Sequence, residues 1–446
     1  MSFSAGYLGA VLDAHLPAGA TGLVVALSGG ADSAALLIAA SALGESGRGL
    51  PLRAVHIDHG LQSAAAAFRR ACAELCAALN VPLSVIGVTV DAPPGASLEA
   101  AARDARYAAL ETQLRPGECL LTAHHADDQA ETLLLQALRG AGLKGLSAMP
   151  VCRPFGRGWH LRPLLAVPQA ELLAADARAL RACVVDPMNQ DPRFDRNYLR
   201  RQVWPLIEAR WPGSAAALSR AASHVAEAQQ LLDDAAAVHV SRLRDGDALS
   251  VPGLRALKEA ERINAVRFWL SEAGVDPPST ARVTEALRQI FDAQDDHLPA
   301  IVWGDRALRR YRHRLFLTDA QPPRLEGTRS WRAACGSRID LGVNLGTLHW
   351  VAQSGGLDAA QLPDVLQVRR RDGGESLRPA PQARTQTVQH LCQSYGVLPW
   401  MRDALPLVFD GDVLLAVADL WLDARRRVPQ HEPGLAIHWT EAPIVY

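Results

Sequence analysis

Six residues, Ser28-Gly29-Gly30-Ala31-Asp32-Ser33, combine groups that bind phosphate with one that repels it. They follow an apolar run of strand character, Leu23–Leu27, and precede a run of helix character, Ala34–Leu43. Such a turn aims several backbone N–H groups and a helix N-terminus at one point, which makes an anion site. Gly29 and Gly30 let the backbone approach a phosphate closely, and Ser28 and Ser33 add hydroxyls. Asp32 repels a polyphosphate unless a divalent cation sits between them. No Lys-Ser or Lys-Thr closes the turn, so it is not a Walker A loop. The alternative is an ordinary strand-to-helix turn capped by serine.

A second polar run, Ala123-His124-His125-Ala126-Asp127-Asp128-Gln129-Ala130-Glu131-Thr132, stands where a buried helix should begin. Asp127 and Asp128 would suit the helix dipole. Asp128 and Glu131, three apart, would also share a face and point at a ligand. Adjacent histidines fit zinc geometry poorly, and the acidic members suit magnesium with ATP better. Glu99, Arg103 and Arg106 form one helical stripe, which by spacing alone reads as a solvated ion pair. The run 193–201 packs four arginines with aromatics, either a charged helix face or a contact to phosphate or RNA. His56, Asp58 and His59 end a strand, with or without chemistry. Arg139-Gly140-Ala141-Gly142-Leu143-Lys144-Gly145 contains G-x-G-x-x-G, but it follows a helix, and no helix is expected to open from it.

The elements that must position these groups alternate. Strands are expected at Leu23–Leu27, Pro51–Ile57, Leu83–Val90 and Cys119–Thr122. Helices are expected at 34–43, 64–79, 98–115 and 127–138. This order implies a mostly parallel sheet covered on both faces, with ligands bound beyond the carboxyl ends of its strands. The three polar turns would then share one rim. Arg162–Leu165 reads as an edge segment, followed by a helix over 168–181. Helices at 214–240, 254–273 and 280–291 suggest a small helical domain. A β-like stretch and a mixed C-terminal part follow. The expected class is α/β, a parallel-sheet nucleotide-binding domain (1–213), then a helical domain (214–325), then an α+β domain (326–446, core about 365–440).

The 446 residues are 49% hydrophobic and 21% charged, with a net charge of -1, so a sizeable core is expected and overall charge does not point to nucleic acid. Lys144 and Lys258 are the only lysines among 46 basic residues, a bias uniform enough to reflect codon usage. Seven cysteines without a Cys-x-x-Cys pair fit reduced thiols in a cytoplasmic protein. No signal peptide or spanning run is apparent, so no membrane partner is expected.

Taken together these motifs resemble one family. Ser28–Ser33 is similar to the pyrophosphate-binding loop of the N-type ATP-pyrophosphatases. His56–Leu61, Glu99–Tyr107, Ala123–Thr132, Arg139–Gly142 and Asn197–Arg200 are similar, in order, to segments of bacterial tRNA(Ile)-lysidine synthetases. So are Arg369–Glu375, Leu398–Leu407 and Asp419–Trp421. Leu398 replaces a proline common in the family, and Ala141 a serine. The resemblance implies ATP-dependent attachment of free L-lysine to carbon 2 of the wobble cytidine in tRNA(Ile) with a CAU anticodon, through an adenylated intermediate. It implies ATP and Mg²⁺ as cofactors. It assigns Ser28, Gly29, Gly30, Ala31, Asp32, Ser33, His56 and Asp58 to ATP, and Asp32 and Asp128 to Mg²⁺. Asp128, Arg103, Arg106, Arg196 and His124 would be catalytic, and Glu131 would bind lysine. Arg200, Arg369, Arg370, Arg371 and Arg402 would bind tRNA. The oligomeric state stays open, a homodimer included. A tRNA thiolase usually needs paired cysteines, and a nucleotide sensor has no need of carboxylates aimed at a nucleophile.

Overall fold

The computed structural model describes residues 3–43, 49–58, 65–90, 98–175, 194–293 and 299–446. The chain forms two compact units, Met1–Leu232 and Asp233–Tyr446. In the first, the elements run α1 (Ala5–His15), β1 (Gly22–Ala26), α2 (Ala31–Ser41), β2 (Leu52–Asp58), α3 (Ala65–Ala78) and β3 (Leu83–Gly87). Then come α4 (Leu98–Gln113), β4 (Glu118–Leu121), α5 (Ala126–Leu138), α6 (Leu143–Leu146), β5 (Cys152–Phe155), β6 (Gly158–Leu161) and α7 (Gln169–Ala175). The sheet order is β3-β2-β1-β4-β6-β5, parallel except for the antiparallel edge strand β5.

Strand β1 is apolar throughout because both its faces are buried. Leu23 and Val25 join the core formed with α1, α2 and α3, while Val24 joins Val55, Leu110, Leu114 and Leu120 on the opposite face. The chain leaves β1 to one side through β2 and β3, then returns to the other side as β4. The crevice between β1 and β4 is therefore the topological switch point, where such sheets bind ligands. The loop after β1 and the polar run after β4 both open there.

Several expectations need correction. Helix α1 was not foreseen. The edge of the sheet is the hairpin Cys152–Leu161 rather than Arg162–Leu165, which is irregular apart from a bridge between Leu164 and His125. A single helical turn, α6, does open from the Gly-rich loop, with Gly142 as its N-cap. The helix expected over 168–181 is seen at Gln169–Ala175, and its remainder lies outside the described residues, as do His59, Gly60, Leu61 and Arg193. The helix expected over 254–273 is two, Val251–Ala256 and Glu259–Glu272.

In the second unit, helices pack on an antiparallel sheet that the sequence did not reveal, built from short strands between Arg244 and Asp319. A further five-stranded antiparallel sheet contains Thr328–Arg332, Val365–Arg369, Leu407–Asp410, Val413–Val417 and Trp421–Leu422. Its core includes the stacked pair Trp331 and Trp350, 4.6 Å apart.

One buried ion pair fastens the sheet at the end away from the crevice. Arg53 Nε donates to Glu118 Oε1 at 2.8 Å, and the Arg115 N–H donates to Glu118 Oε2 at 2.8 Å. Burial alone would raise the Glu118 pKa, but the bonds from Arg53 and Arg115 outweigh it and hold the carboxyl below its ordinary value. The stabilisation is complete above the unfolded-state pKa of about 4.3 and is lost as pH falls through the lower folded value. Glu118→Gln should lower stability at neutral pH by about 1–3 kcal/mol and remove this acid-sensitive component. Urea unfolding from pH 7 to 3 checks both.

Candidate active site

The loop after β1 is shaped by its glycines and stitched by its serines. Gly29 has φ +85°, and a side chain there would strike Phe68, its Cβ falling 2.7 Å from Cδ1. Ser33 Oγ donates to the Gly30 carbonyl at 2.9 Å and accepts the Ser28 N–H at 3.1 Å. The Gly30 N–H donates to Ser28 Oγ at 3.2 Å. These bonds leave the N–H groups of Ala31, Asp32 and Ser33 as first-turn donors of α2, without partners within the helix. Strand β2 braces the loop from beneath. His56, buried, hydrogen-bonds the Leu27 carbonyl through Nδ1 at 2.8 Å. Asp58 pairs with Arg69 at 3.1 Å.

Across the crevice, three carboxylates surround one histidine. His125 is the N-cap of α5 and is buried. Its Nε2 lies 3.4 Å from Asp128 and 3.7 Å from Asp32, and its Nδ1 lies 3.4 Å from Asp127. Burial would lower the His125 pKa, but the three carboxylates prevail and raise it. Gln169, at the start of α7, closes the group. Its side-chain amide donates to both oxygens of Asp32, at 3.1 and 3.2 Å, and its N–H donates to Asp127 at 2.9 Å. Burial, with Asp128 nearby, raises the Asp32 pKa despite the pull of His125 and Gln169.

Asp128 and Glu131 lie one turn apart on α5 and are held by two arginines from Asp195–Arg210. That segment runs from helix through a widened turn, Leu199–Val203, back to helix. The widening precedes Pro205, which has no N–H to give the Arg201 carbonyl. Arg196 donates to Glu131 at 2.8 Å and to Asp128 at 3.1 Å. Arg200 donates to Glu131 at 2.6 and 2.8 Å and to Asp128 at 2.9 Å. Glu131 is thus buried and fully paired. Burial disfavours the Asp128 carboxylate, yet the positive charges of His125, Arg196 and Arg200 hold its pKa down at about 2.

His124 is half-buried at the same rim. Burial, with the positive charge of Arg162, Arg103 and Arg196, pulls its pKa down to about 3, so it is neutral. Arg103 lies over the Tyr107 ring, 5.1 Å from its centre, and Arg106 is exposed one turn further along α4.

The structure therefore brings Asp32, His124, Asp128, Glu131, Arg196 and Arg200 together, with Arg103 near enough to act on His124. His56 supports the loop from a buried position, and Asp58 ends the neighbouring strand. Arg369, Arg370, Arg371 and Arg402 belong to the second unit. There Arg369 stacks on Phe409 at 4.0 Å, Arg371 pairs with Asp403 at 3.2 Å, and Arg402 donates to the Val397 carbonyl. Among the described residues, Arg370 makes no hydrogen bond or ion pair. Sequence reasoning missed His125 and Gln169. His125 had a visible signal, since it stands two and three residues before Asp127 and Asp128 at a helix start; Gln169 had none. Among the described residues, no cluster of three or more histidines, cysteines or carboxylates is arranged to hold a metal by itself. Asp32 and Asp128 face the same imidazole edge, which suits a magnesium ion that takes its other ligands from phosphates and water.

Glu131→Gln would leave two guanidinium groups facing the single charge of Asp128. We expect a stability loss of about 1–3 kcal/mol, read from the urea midpoint. An unchanged midpoint would show that the pairing adds nothing.

Comparisons with known proteins follow the same division. Residues 9–207 match the PP-loop domain family, 249–316 the TilS substrate binding domain, and 366–439 the TilS substrate C-terminal domain. The chain is 42% identical over 406 residues to a tRNA(Ile)-lysidine synthase of Alkalilimnicola ehrlichii, covering 90% of each chain. It is 38% identical over 431 residues to the same enzyme of Methylococcus capsulatus, covering 93% of this chain and 95% of the relative. A U34-tRNA thiolase, NcsA of Methanococcus maripaludis, superposes on 50% of this chain and 78% of its own, with a TM-score of 0.40 and 16% identity.

Proposed function

This chain belongs to the tRNA(Ile)-lysidine synthase family, and we propose that it joins free L-lysine to carbon 2 of the wobble cytidine in a tRNA(Ile) with a CAU anticodon, at the expense of ATP. The observation that carries this reading is the meeting of Asp32 at the phosphate loop with Asp128, Glu131, Arg196 and Arg200 in one crevice. In the first step the C2 oxygen of cytidine attacks the α-phosphorus of ATP, and pyrophosphate leaves. In the second the lysine ε-amine attacks C2, and AMP departs with the former C2 oxygen.

The N–H groups of Ala31, Asp32 and Ser33 hold the leaving pyrophosphate, with Ser28 and Gly29 lining the loop. Asp32 and Asp128 would hold Mg²⁺, which when bound neutralises the polyphosphate. A carboxylate with a pKa near 2 is a weak base. The lysine ammonium has a pKa of about 10.4, so Asp128 acts through charge and position rather than as the proton acceptor. Glu131 accepts the lysine ammonium once a guanidinium gives up its place, and the more exposed Arg200 is the one that moves toward tRNA phosphate. Arg103, Arg106 and Arg196 counter phosphate charge. His56 and Asp58 shape the nucleotide side of the rim from β2.

The domain reading accompanies this one: 1–213 for ATP chemistry, 214–325 and 326–446 for tRNA. It is supported by three family matches that each fall within one of these ranges. Among the described residues no helix is long and apolar enough to cross a membrane, and a tRNA substrate suits a cytoplasmic setting.

With ATP, labelled lysine and total tRNA, the wild-type protein should place lysine in tRNA. Asp128→Ala should lower this at least about 100-fold while circular dichroism is unchanged; full activity would remove Asp128 from the mechanism. In the C-terminal region, Arg370→Ala should weaken tRNA binding several-fold without changing ATP binding, since Arg370 has no internal partner to lose. An unchanged tRNA affinity would count against that surface.

A further inference from the structure

Behind His124 lies a buried polar series that nothing above employs. Arg162 Nη2 is 3.2 Å from His160 Nδ1, His160 Nε2 is 2.8 Å from Thr122 Oγ1, and Thr122 Oγ1 is 2.8 Å from His124 Nδ1. Thr122, His160 and Arg162 are all buried. Phe155 and Tyr107 flank His160, their ring centres each 5.7 Å away. Arg162 is further tied down by donating to the Pro150 carbonyl at 2.8 Å.

The direction of every bond in the series follows from its first member. A guanidinium only donates, so His160 Nδ1 must accept. A neutral His160 then carries its proton on Nε2 and gives it to Thr122 Oγ1. The one Thr122 hydroxyl proton is left for His124 Nδ1, which therefore accepts. His124 must carry its own proton on Nε2, an atom with no hydrogen-bond partner among the described residues. If His124 instead donated from Nδ1, the Thr122 hydroxyl proton would be stranded in a buried site. A doubly protonated His124 would meet the same conflict and would add charge beside Arg103, Arg162 and Arg196.

We infer that Arg162, His160 and Thr122 are positioning residues that lock His124 as the neutral tautomer protonated on Nε2, making it a donor of one hydrogen bond to a phosphoryl oxygen of the nucleotide at this rim. The ligand half of this inference rests on the ATP reading above. A ring locked in one tautomer donates without titrating and leaves the arginines to carry the charge. The local sequence shows His124 and Thr122 but not the partners behind them, because His160 lies on the neighbouring strand β6 and Arg162 directly follows that strand.

The full-length protein labelled with ¹⁵N-histidine tests this directly, because two-bond ¹H–¹⁵N correlations distinguish the tautomers. The His124 signals are identified by their loss in His124→Gln. In the wild type His124 should be protonated on Nε2 alone. Thr122→Val removes the hydroxyl at nearly constant volume and should release the tautomer. It should also lower kcat for lysine incorporation about 10- to 100-fold, with retained circular dichroism. Thr122→Ser should restore both. An Nδ1-protonated His124 in the wild type overturns the inference, and so does a Thr122→Val protein whose tautomer is unchanged, whatever its kcat. A wild-type protein that forms no lysidine would strike the function reading instead, and the ¹⁵N spectra would still decide the lock.

Discussion

The crevice between β1 and β4 depends on a balance of charge. Asp32, Asp127, Asp128 and Glu131 crowd into a space where any one of them, unpaired, would be driven to protonate. His125 faces three of them, and Arg196 and Arg200 face the other side of Asp128 and all of Glu131. The arrangement keeps Asp128 ionised and Glu131 paired in a partly dry site. In the function proposed above, a polyphosphate and its cation would enter beside Asp32 and rebalance this field. Ligand binding at such a site is an exchange of partners among charges already in place.

The sheet makes this balance possible. Parallel strands with both faces buried deliver their carboxyl ends to one rim, and the change of direction between β1 and β4 opens a gap there. The loop after β1 supplies helix-terminal N–H groups, and the turn after β4 supplies acids. The hairpin Cys152–Leu161 extends the sheet beyond β4 and carries His160, with Arg162 just after it, under the rim. The widened turn before Pro205 sets Arg196 and Arg200 on one pair of carboxylates.

Much of this was legible because local sequence encodes it. The run Leu23–Ser33 announces strand, turn and helix, and the alternation that follows announces a parallel sheet. Asp128 and Glu131 announce a shared helix face by their spacing. Other features depend on contacts distant in sequence. Nothing near Gln169 signals that it will bridge Asp32 and Asp127, and nothing near Arg196 fixes its partners. Glu131, read from spacing as open to a ligand, is closed by guanidinium groups from 65 and 69 residues away. The sheet in the middle of the chain escaped notice because its strands are short and interleaved with strongly helical stretches. Phe409, under Arg369, and Asp403, paired with Arg371, likewise come from later strands and turns.

The central claim is that this crevice activates an RNA oxygen rather than the amino acid. It is tested most directly by following that oxygen. A tRNA(Ile) carrying ¹⁸O at C2 of the wobble cytidine, incubated with the protein, ATP and lysine, is predicted to yield AMP containing the label and tRNA that has lost it. Unlabelled AMP formed alongside lysine-modified tRNA would contradict the account, because the activated oxygen would then have come from somewhere other than cytidine.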